Sequence, residues 1–338
     1  MLTRLAPSPT GALHLGNART FLVNWAMARQ RGWRVLLRIE DLDGPRVKAG
    51  AAEAAIDTLA WLGLDWDEGP VYQSAEFTTP AWRGVYREAL EALVSAGDAY
   101  PCRRTRSEIL AASRSAPHAG EHELRYSMEL RPADAGVAGA VDLALLDDAT
   151  VAWRLVTPDC SVTFKDDLLG PQTFYPQREV GDFLIATKGG ASGAAQPSYQ
   201  LAVVVDDARQ GVTHVVRGDD LLPSTARQLL LYDLLGQVGF LDDARPPAYT
   251  HLPIVVGADG RRLAKRHGDT RIDTYRAADV PPKRVIGLLA EWSGLGTRRE
   301  MTAAEFAAGF DLAGLPRERV AFGEFDDKWL RAESPYEG

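Results

Sequence analysis

Three stretches of this sequence concentrate side chains that could do chemistry on an anion. In His14-Leu15-Gly16-Asn17 a histidine and a glycine stand where a helix begins just after a strand. Backbone N–H groups and the helix dipole at such a start can receive phosphate, and His14 can donate to its oxygens. Gly11 and Gly16 allow close approach of a ligand. Alone, these residues are weak evidence, since a lone histidine near a helix start is more often structural. The second stretch, residues 260–268, carries Arg261, Arg262, Lys265 and Arg266 between glycines. A triphosphate is the natural counter-charge for such a loop, which could neutralise charge on departing pyrophosphate. An exposed basic hairpin is the competing reading.

The third set is dispersed: Arg4, Glu40-Asp41-Leu42-Asp43, Tyr199 and Arg217-Gly218-Asp219-Asp220 each stand at or near a strand. In an open parallel sheet the carboxyl ends of the strands hold the ligand crevice. Arginine binds a carboxylate bidentately and Glu40 suits an ammonium, so the set fits an acidic amino acid. Ion pairs tying strand ends together remain the structural alternative.

The elements that must position these groups follow from periodicity. Residues 2–6 read as a strand, 14–31 as a helix, 35–39 as a second strand and 51–63 as a helix, which begins a parallel βαβ sheet. A helix is expected over 80–96. Residues 99–195, with irregular periodicity and Gly/Ala-rich tracts, read as an inserted subdomain. Residues 199–205 read as a near-continuous buried strand. Strands at 212–216 and 249–256 flank a helix at 224–235, and residues from 274 onward read as helical, opened by Pro281-Pro282 and with Thr302 as a cap. The division expected is 1–98 and 196–273 for two halves of one catalytic domain, 99–195 for the insertion and 274–338 for a helical appendage.

Composition narrows the classes. Hydrophobic residues make up 46% and charged residues 25% of 338, which excludes a collagen-like or wholly disordered chain. The net charge of −8 argues against whole-surface attraction to polyanions, leaving local patches such as Arg103, Arg104 and Arg106. Two cysteines, Cys102 and Cys160, exclude a four-cysteine zinc cage and a disulfide framework. No signal peptide or membrane span is legible, so a cytoplasmic protein is expected, with no membrane and no protein partner implied.

Taken together, residues 4–11 with 14–17, residues 38–43, residues 199–207 with 213–220 and residues 262–268 resemble the glutamyl class I aminoacyl-tRNA synthetases. They are nearest to the shortened branch that attaches glutamate to queuosine of tRNA(Asp). The resemblance covers most of the chain and implies a Rossmann-like α/β catalytic domain with an inserted acceptor-binding-like subdomain and a helical stem-contact-like segment. It implies activation of L-glutamate by ATP with Mg2+, then transfer of the glutamyl group to a tRNA. By motif match, Arg4, Ala6, Ser8, Glu40, Tyr199 and Arg217 would bind glutamate. Gly11, His14, Gly16, Asn17, Arg262, Leu263 and Lys265 would bind ATP, with His14, Asn17 and Lys265 acting in catalysis.

Only about 70 residues follow Gly268, too few for the large anticodon-binding region of the longer enzymes. Arg262 and Ala264 stand where the basic signature usually has Lys and Ser. The branch often binds zinc through a Cys-x-Cys pair, a Tyr and a further Cys; here Cys102 is followed by Arg103-Arg104, so no zinc is expected. His118 and His122, four apart, are the remaining candidate ligands, with Pro117 and Gly120 arguing for a loop. The alternatives are a truncated synthetase charging the 3′ end of tRNA(Glu), and a non-catalytic ATP- and tRNA-binding regulator.

Overall fold

The computed structural model describes residues 1–42, 46–76, 84–112, 125–189, 195–241, 244–261, 263 and 270–332. Its centre is a sheet of seven strands among the described residues, in the order β3-β2-β1-β10-β11-β6-β7. These are β1 (Leu2–Leu5), β2 (Arg34–Ile39), β3 (Glu68–Tyr72), β6 (Val162–Asp166), β7 (Gly170–Phe174), β10 (His214–Gly218) and β11 (Ala248–Leu252). All neighbours run parallel except β6 and β7, which form an antiparallel hairpin at one edge. The strand order reverses at β1, where β2 lies on one side and β10 on the other. A crevice opens at such a switch point, beyond the carboxyl ends of the strands.

Register decides which side chains share a face. Arg4 pairs with Leu36, so Arg38, two residues along β2, lies on the face of Arg4. Thr3 pairs with His214, which puts Arg217 on that face too, directly opposite His251 of β11. The other face is covered by α1 (Leu15–Arg31), where Asn24 accepts from Thr3 Oγ1 and donates to Arg4 O. The arginine face is covered by α6 (Tyr199–Arg209) and α7 (Leu222–Gln237).

The expected strand at 199–205 is helix α6 instead. Its residues Leu201 to Asp207 are all buried, between the sheet and a cluster including Leu90 and Leu93 of α3 (Val85–Ala96) and Leu231 of α7. A helix buried all round shows the same unbroken apolar run as a buried parallel strand, and periodicity cannot separate them. The remaining catalytic-half helix, α2 (Ala51–Trp61), follows the expectation.

Within residues 99–195, β4 (Ala99–Cys102), β5 (Ala152–Leu155) and β8 (Leu184–Thr187) form a separate antiparallel sheet, which β9 (Gln196–Pro197), just beyond that span, completes. Short helices α4 (Arg106–Ala112) and α5 (Pro176–Glu179) accompany it. The β6–β7 hairpin, inside the same span, returns to the main sheet; the expectation of one continuous insertion is corrected there, because β6 pairs with β11.

The C-terminal part contains α8 (Ile272–Ala277), α9 (Pro282–Trp292), α10 (Ala303–Gly309) and α11 (Glu324–Arg331). Pro282 opens α9 and Thr302 caps α10 with Glu305 in a capping box. These helices share one core with the sheet: Leu5, Val23, Leu289, Phe306 and Leu330 belong to one buried cluster. Strand β12 (Val255–Val256) pairs with β13 (Val320–Ala321) across the same junction. Arg19 of α1 fastens the junction by donating to Pro253 O, Trp292 O and Ser293 Oγ. Burial among these neutral acceptors pulls its guanidinium down to about 10, partly offset by Asp219. Among the described residues no helix is long and apolar enough to cross a membrane.

Candidate active site

A cavity of about 490 Å³ lies at the switch point, lined by residues of β1, β10, α1, α6 and the connections after β1, β2 and β11. Arg4, Ala6, Ser8, Glu40, Tyr199 and Arg217 all line it, as do Gly11, His14, Gly16 and Asn17. The six residues expected around an amino acid and four of those expected around a nucleotide are thus brought into one cavity. Glu40 reaches it because its backbone N–H is bonded to Pro7 O at 3.1 Å, tying the end of β2 to the turn after β1.

The two strand arginines near the floor share one counter-ion. Asp207 Oδ1 accepts from Arg38 Nη1 at 2.7 Å and from Arg4 Nε at 3.3 Å, and Arg38 Nη2 donates onward to Glu40 Oε1 at 3.2 Å. All three core members are almost wholly buried. Burial alone would raise the Asp207 carboxyl, but Arg38 and Arg4 outweigh it and hold it below its usual range. Burial likewise would lower Arg38; Asp207, Glu40 and Asp206 reverse this and raise it. Asp206, beside this cluster, accepts from Tyr86 and Gln73 and is pushed up to about 6 by burial, with Arg38 acting in the opposite direction.

On the cavity wall, Arg217 donates to the Tyr199 hydroxyl at 3.3 Å, to Thr225 Oγ1 at 2.8 Å and to His251 Nε2 at 3.1 Å. Tyr249 lies against the guanidinium, 5.3 Å from ring centroid to Cζ. Asp207, Asp206, Thr225, His251 and Asp166 were not singled out from sequence. A usable signal for Asp207 was present: two arginines on buried strands require a buried carboxylate.

At the other side, His14 is the N-cap of α1. Its Nδ1 accepts from the N–H groups of Gly16 at 3.1 Å and Asn17 at 3.3 Å, while Asn17 Oδ1 accepts from His14 N. The N–H of Leu15 is bonded to Thr270 O and that of Ala18 to His14 O. The first-turn N–H groups expected to meet phosphate are therefore engaged by the protein, which leaves recognition to side chains. Because Nδ1 accepts, the neutral ring carries its proton on Nε2. A Cβ on Gly16 would approach the His14 ring to 3.1 Å, so glycine keeps this cap in place.

The basic stretch is described only in part. Leu263 is buried, with its N–H toward Val255 O, and Thr270 is buried against α1. Arg262, Ala264, Lys265 and Arg266 lie outside the described residues, as do Asp43, His118 and His122. Among the described residues no group of three or more His, Cys, Asp or Glu is placed to hold a metal ion. Cys102 is buried with its Sγ 3.8 Å from the Tyr126 hydroxyl, and Arg154 stacks on the Tyr126 ring at 3.9 Å.

Comparison with known proteins agrees with this architecture. The chain is 45% identical over 325 residues to a glutamyl-Q tRNA(Asp) synthetase of Symbiobacterium thermophilum, covering 94% of each. It is 45% identical over 297 residues to a protein of that name from Rhodopirellula baltica, covering 86% of this chain and 84% of the other. Among solved structures, a glutamate tRNA ligase from Elizabethkingia meningosepticum in complex with its amino acid matches with a TM-score of 0.73 and 27% identity. That match covers 98% of this chain and 68% of the ligase. The family model described as "tRNA synthetases class I (E and Q), catalytic domain" matches residues 1–324. With that match and these identities, the chain belongs to the class I tRNA synthetases of the E and Q type.

Proposed function

We propose that the protein activates L-glutamate with ATP to glutamyl-adenylate and transfers the glutamyl group to queuosine in the anticodon loop of tRNA(Asp). The observation that carries this reading is that Arg4, Arg217, Tyr199 and Glu40 line one cavity together with His14 and Asn17. The first group suits an amino acid with two carboxylates and one ammonium, and the second suits a nucleotide. Relatives named glutamyl-Q tRNA(Asp) synthetase, matched over 94% and 84% of their length, support the choice of RNA.

In the first step the substrate α-carboxylate attacks the α-phosphorus of ATP, an O–P bond forms, and the bond to pyrophosphate breaks. No protein nucleophile is needed. The chain's residues hold the amino acid by charge, orient the nucleotide through His14 Nε2 and Asn17, and exclude misaligned encounters. Lys265 would meet the charge developing on pyrophosphate. Mg2+ entering with ATP would supply positive charge to the phosphates; among the described residues no group of three or more His, Cys, Asp or Glu is placed to hold it.

Glutamate-dependent exchange of pyrophosphate into ATP tests activation. The position of labelled glutamate on tRNA, mapped by nuclease fragments, tests transfer. Label at the 3′ end of tRNA(Glu) would favour a truncated charging enzyme, and absence of exchange and of transfer would favour a binding regulator.

A further inference from the structure

Arg217 is the one cavity arginine whose hydrogen-bond partners among the described residues are all neutral. Arg4 and Arg38 touch the Asp207 carboxylate directly, which quenches part of their charge. Arg217 instead donates to an imidazole, a threonine hydroxyl and a phenol. The carboxylate in this arrangement stands one ring further back. His251, opposite Arg217 in the parallel register, has its Nδ1 2.7 Å from Asp166 Oδ2, and both side chains are fully buried.

The geometry specifies where the protons sit. Asp166 Oδ1 accepts the N–H groups of Leu168 and Leu169, and Oδ2 accepts the N–H of His251 as well as facing its ring. A carboxylate surrounded by donors accepts and does not donate, so the imidazole proton lies on Nδ1 and Nε2 presents a lone pair. That lone pair faces Arg217 Nε. The Thr225 hydroxyl accepts from Arg217 Nη2 and stands 3.1 Å from Nε2. Burial pushes the imidazole below its ordinary range, with Asp166 pulling the other way, and a neutral ring is what the arrangement requires.

We propose that Asp166 and His251 are positioning residues that orient Arg217 toward a substrate carboxylate without setting a carboxylate of the protein in direct contact with its guanidinium. The inference rests on the reading that Arg217 binds glutamate. Of the five guanidinium N–H bonds, three are taken by His251, Thr225 and Tyr199, and two remain for a carboxylate. A neutral acceptor fixes the plane of the guanidinium without competing for its charge, whereas a carboxylate at the same place would do both. The acid nevertheless determines the geometry, because it selects the tautomer. With the proton on the other nitrogen, two donors would face each other across the bond now 3.1 Å long.

The test compares two substitutions that divide the imidazole's functions. His251→Asn retains an amide donor toward Asp166 but ends short of Arg217; His251→Gln reaches Arg217 with an amide oxygen. In glutamate-dependent pyrophosphate exchange, His251→Asn should raise the KM for glutamate roughly 10- to 100-fold, the effect of unpairing one donor of a buried charged group. The KM for ATP should stay within about 2-fold, and His251→Gln should recover most of the loss. Asp166→Asn should reproduce the Asn phenotype by inverting the tautomer, as loss of the orienting carboxylate does in a serine-protease triad.

Equal losses in the Asn and Gln variants, or parallel rises in both KM values, would overturn the proposal in favour of a purely structural pair. An independent reading comes from 15N-histidine NMR, in which the His251 signal is the one missing from either variant or, if neither folds, the one that survives substitution of His14, His118, His122, His214 and His267 in turn. The proton is expected on Nδ1. A proton on Nε2 sinks the proposal whatever the activity, while an Nδ1 proton in a protein without glutamate-dependent exchange places the failure in the functional reading instead.

Discussion

Arg38 Nη1 donates to Asp207 Oδ1 at 2.7 Å, joining the second strand to the end of a helix 169 positions later in the chain. Around this bond one carboxylate serves two buried guanidinium groups, and one of those guanidinium groups holds Glu40 at the cavity edge. The bond is thus a stability element and a positioning element at once.

Replacing the acceptor should show both. Asp207→Asn leaves Arg4 and Arg38 without their shared counter-ion in a buried place, a change expected to destabilise by about 3–5 kcal/mol. Denaturant titration of the variant against the parent measures it. A loss below about 1 kcal/mol would mean that the arginines find other partners.

Asp206 has a folded value raised to about 6 from 3.8, so the folded protein holds its proton more tightly than the unfolded chain does. For a raised group, the stabilising contribution is present in full below the unfolded value and is lost as pH rises through the folded one. Asp206→Asn, which keeps an oxygen for Tyr86 and lets the Gln73 amide turn over, should therefore gain on the parent between about pH 4 and 7. The gain expected is on the order of 2–3 kcal/mol. Asp207 shifts oppositely and is common to both proteins, so the difference in unfolding free energy against pH isolates Asp206. A flat difference would contradict the assignment.

His14 has a capping role and a proposed nucleotide role, and asparagine separates them. His14→Asn supplies another good N-cap oxygen for α1, so stability should change by only a few tenths of a kcal/mol, against about 1 kcal/mol for His14→Ala. Both variants lose the Nε2 donor and should slow pyrophosphate exchange by roughly 10- to 100-fold. Undiminished exchange in His14→Asn would confine the residue to capping.

Arg217→Ala should weaken glutamate use at least 10-fold with a smaller effect on the KM for ATP, because in the proposed reading its two remaining donors take a glutamate carboxylate. The unaltered protein should discriminate against glutamine, whose amide leaves cationic donors unpaired. Pyrophosphate exchange with each amino acid in turn gives the ratio, and equal use of both would remove the two arginines from side-chain recognition.

Much of the site was legible in the chain because its parts are local. A strand, a turn and a helix start lie within the first 17 residues, and the capping histidine, the close glycine and the arginine at position 4 need only that short segment to be recognised. The same holds for Pro282 at the start of α9 and for the Thr302–Glu305 box. What tertiary structure decided is whatever depends on partners far away in sequence. The apolar run at 199–205 has one pattern compatible with two structures, and packing on both sides made it a helix. The hairpin at 162–174 carries no local mark of which sheet it joins; pairing with β11 settles it. The partnership of Asp166 with His251, and of Asp207 with Arg4 and Arg38, follows from register between strands and from the need to satisfy buried charge, and neither acts until the chain has closed on itself.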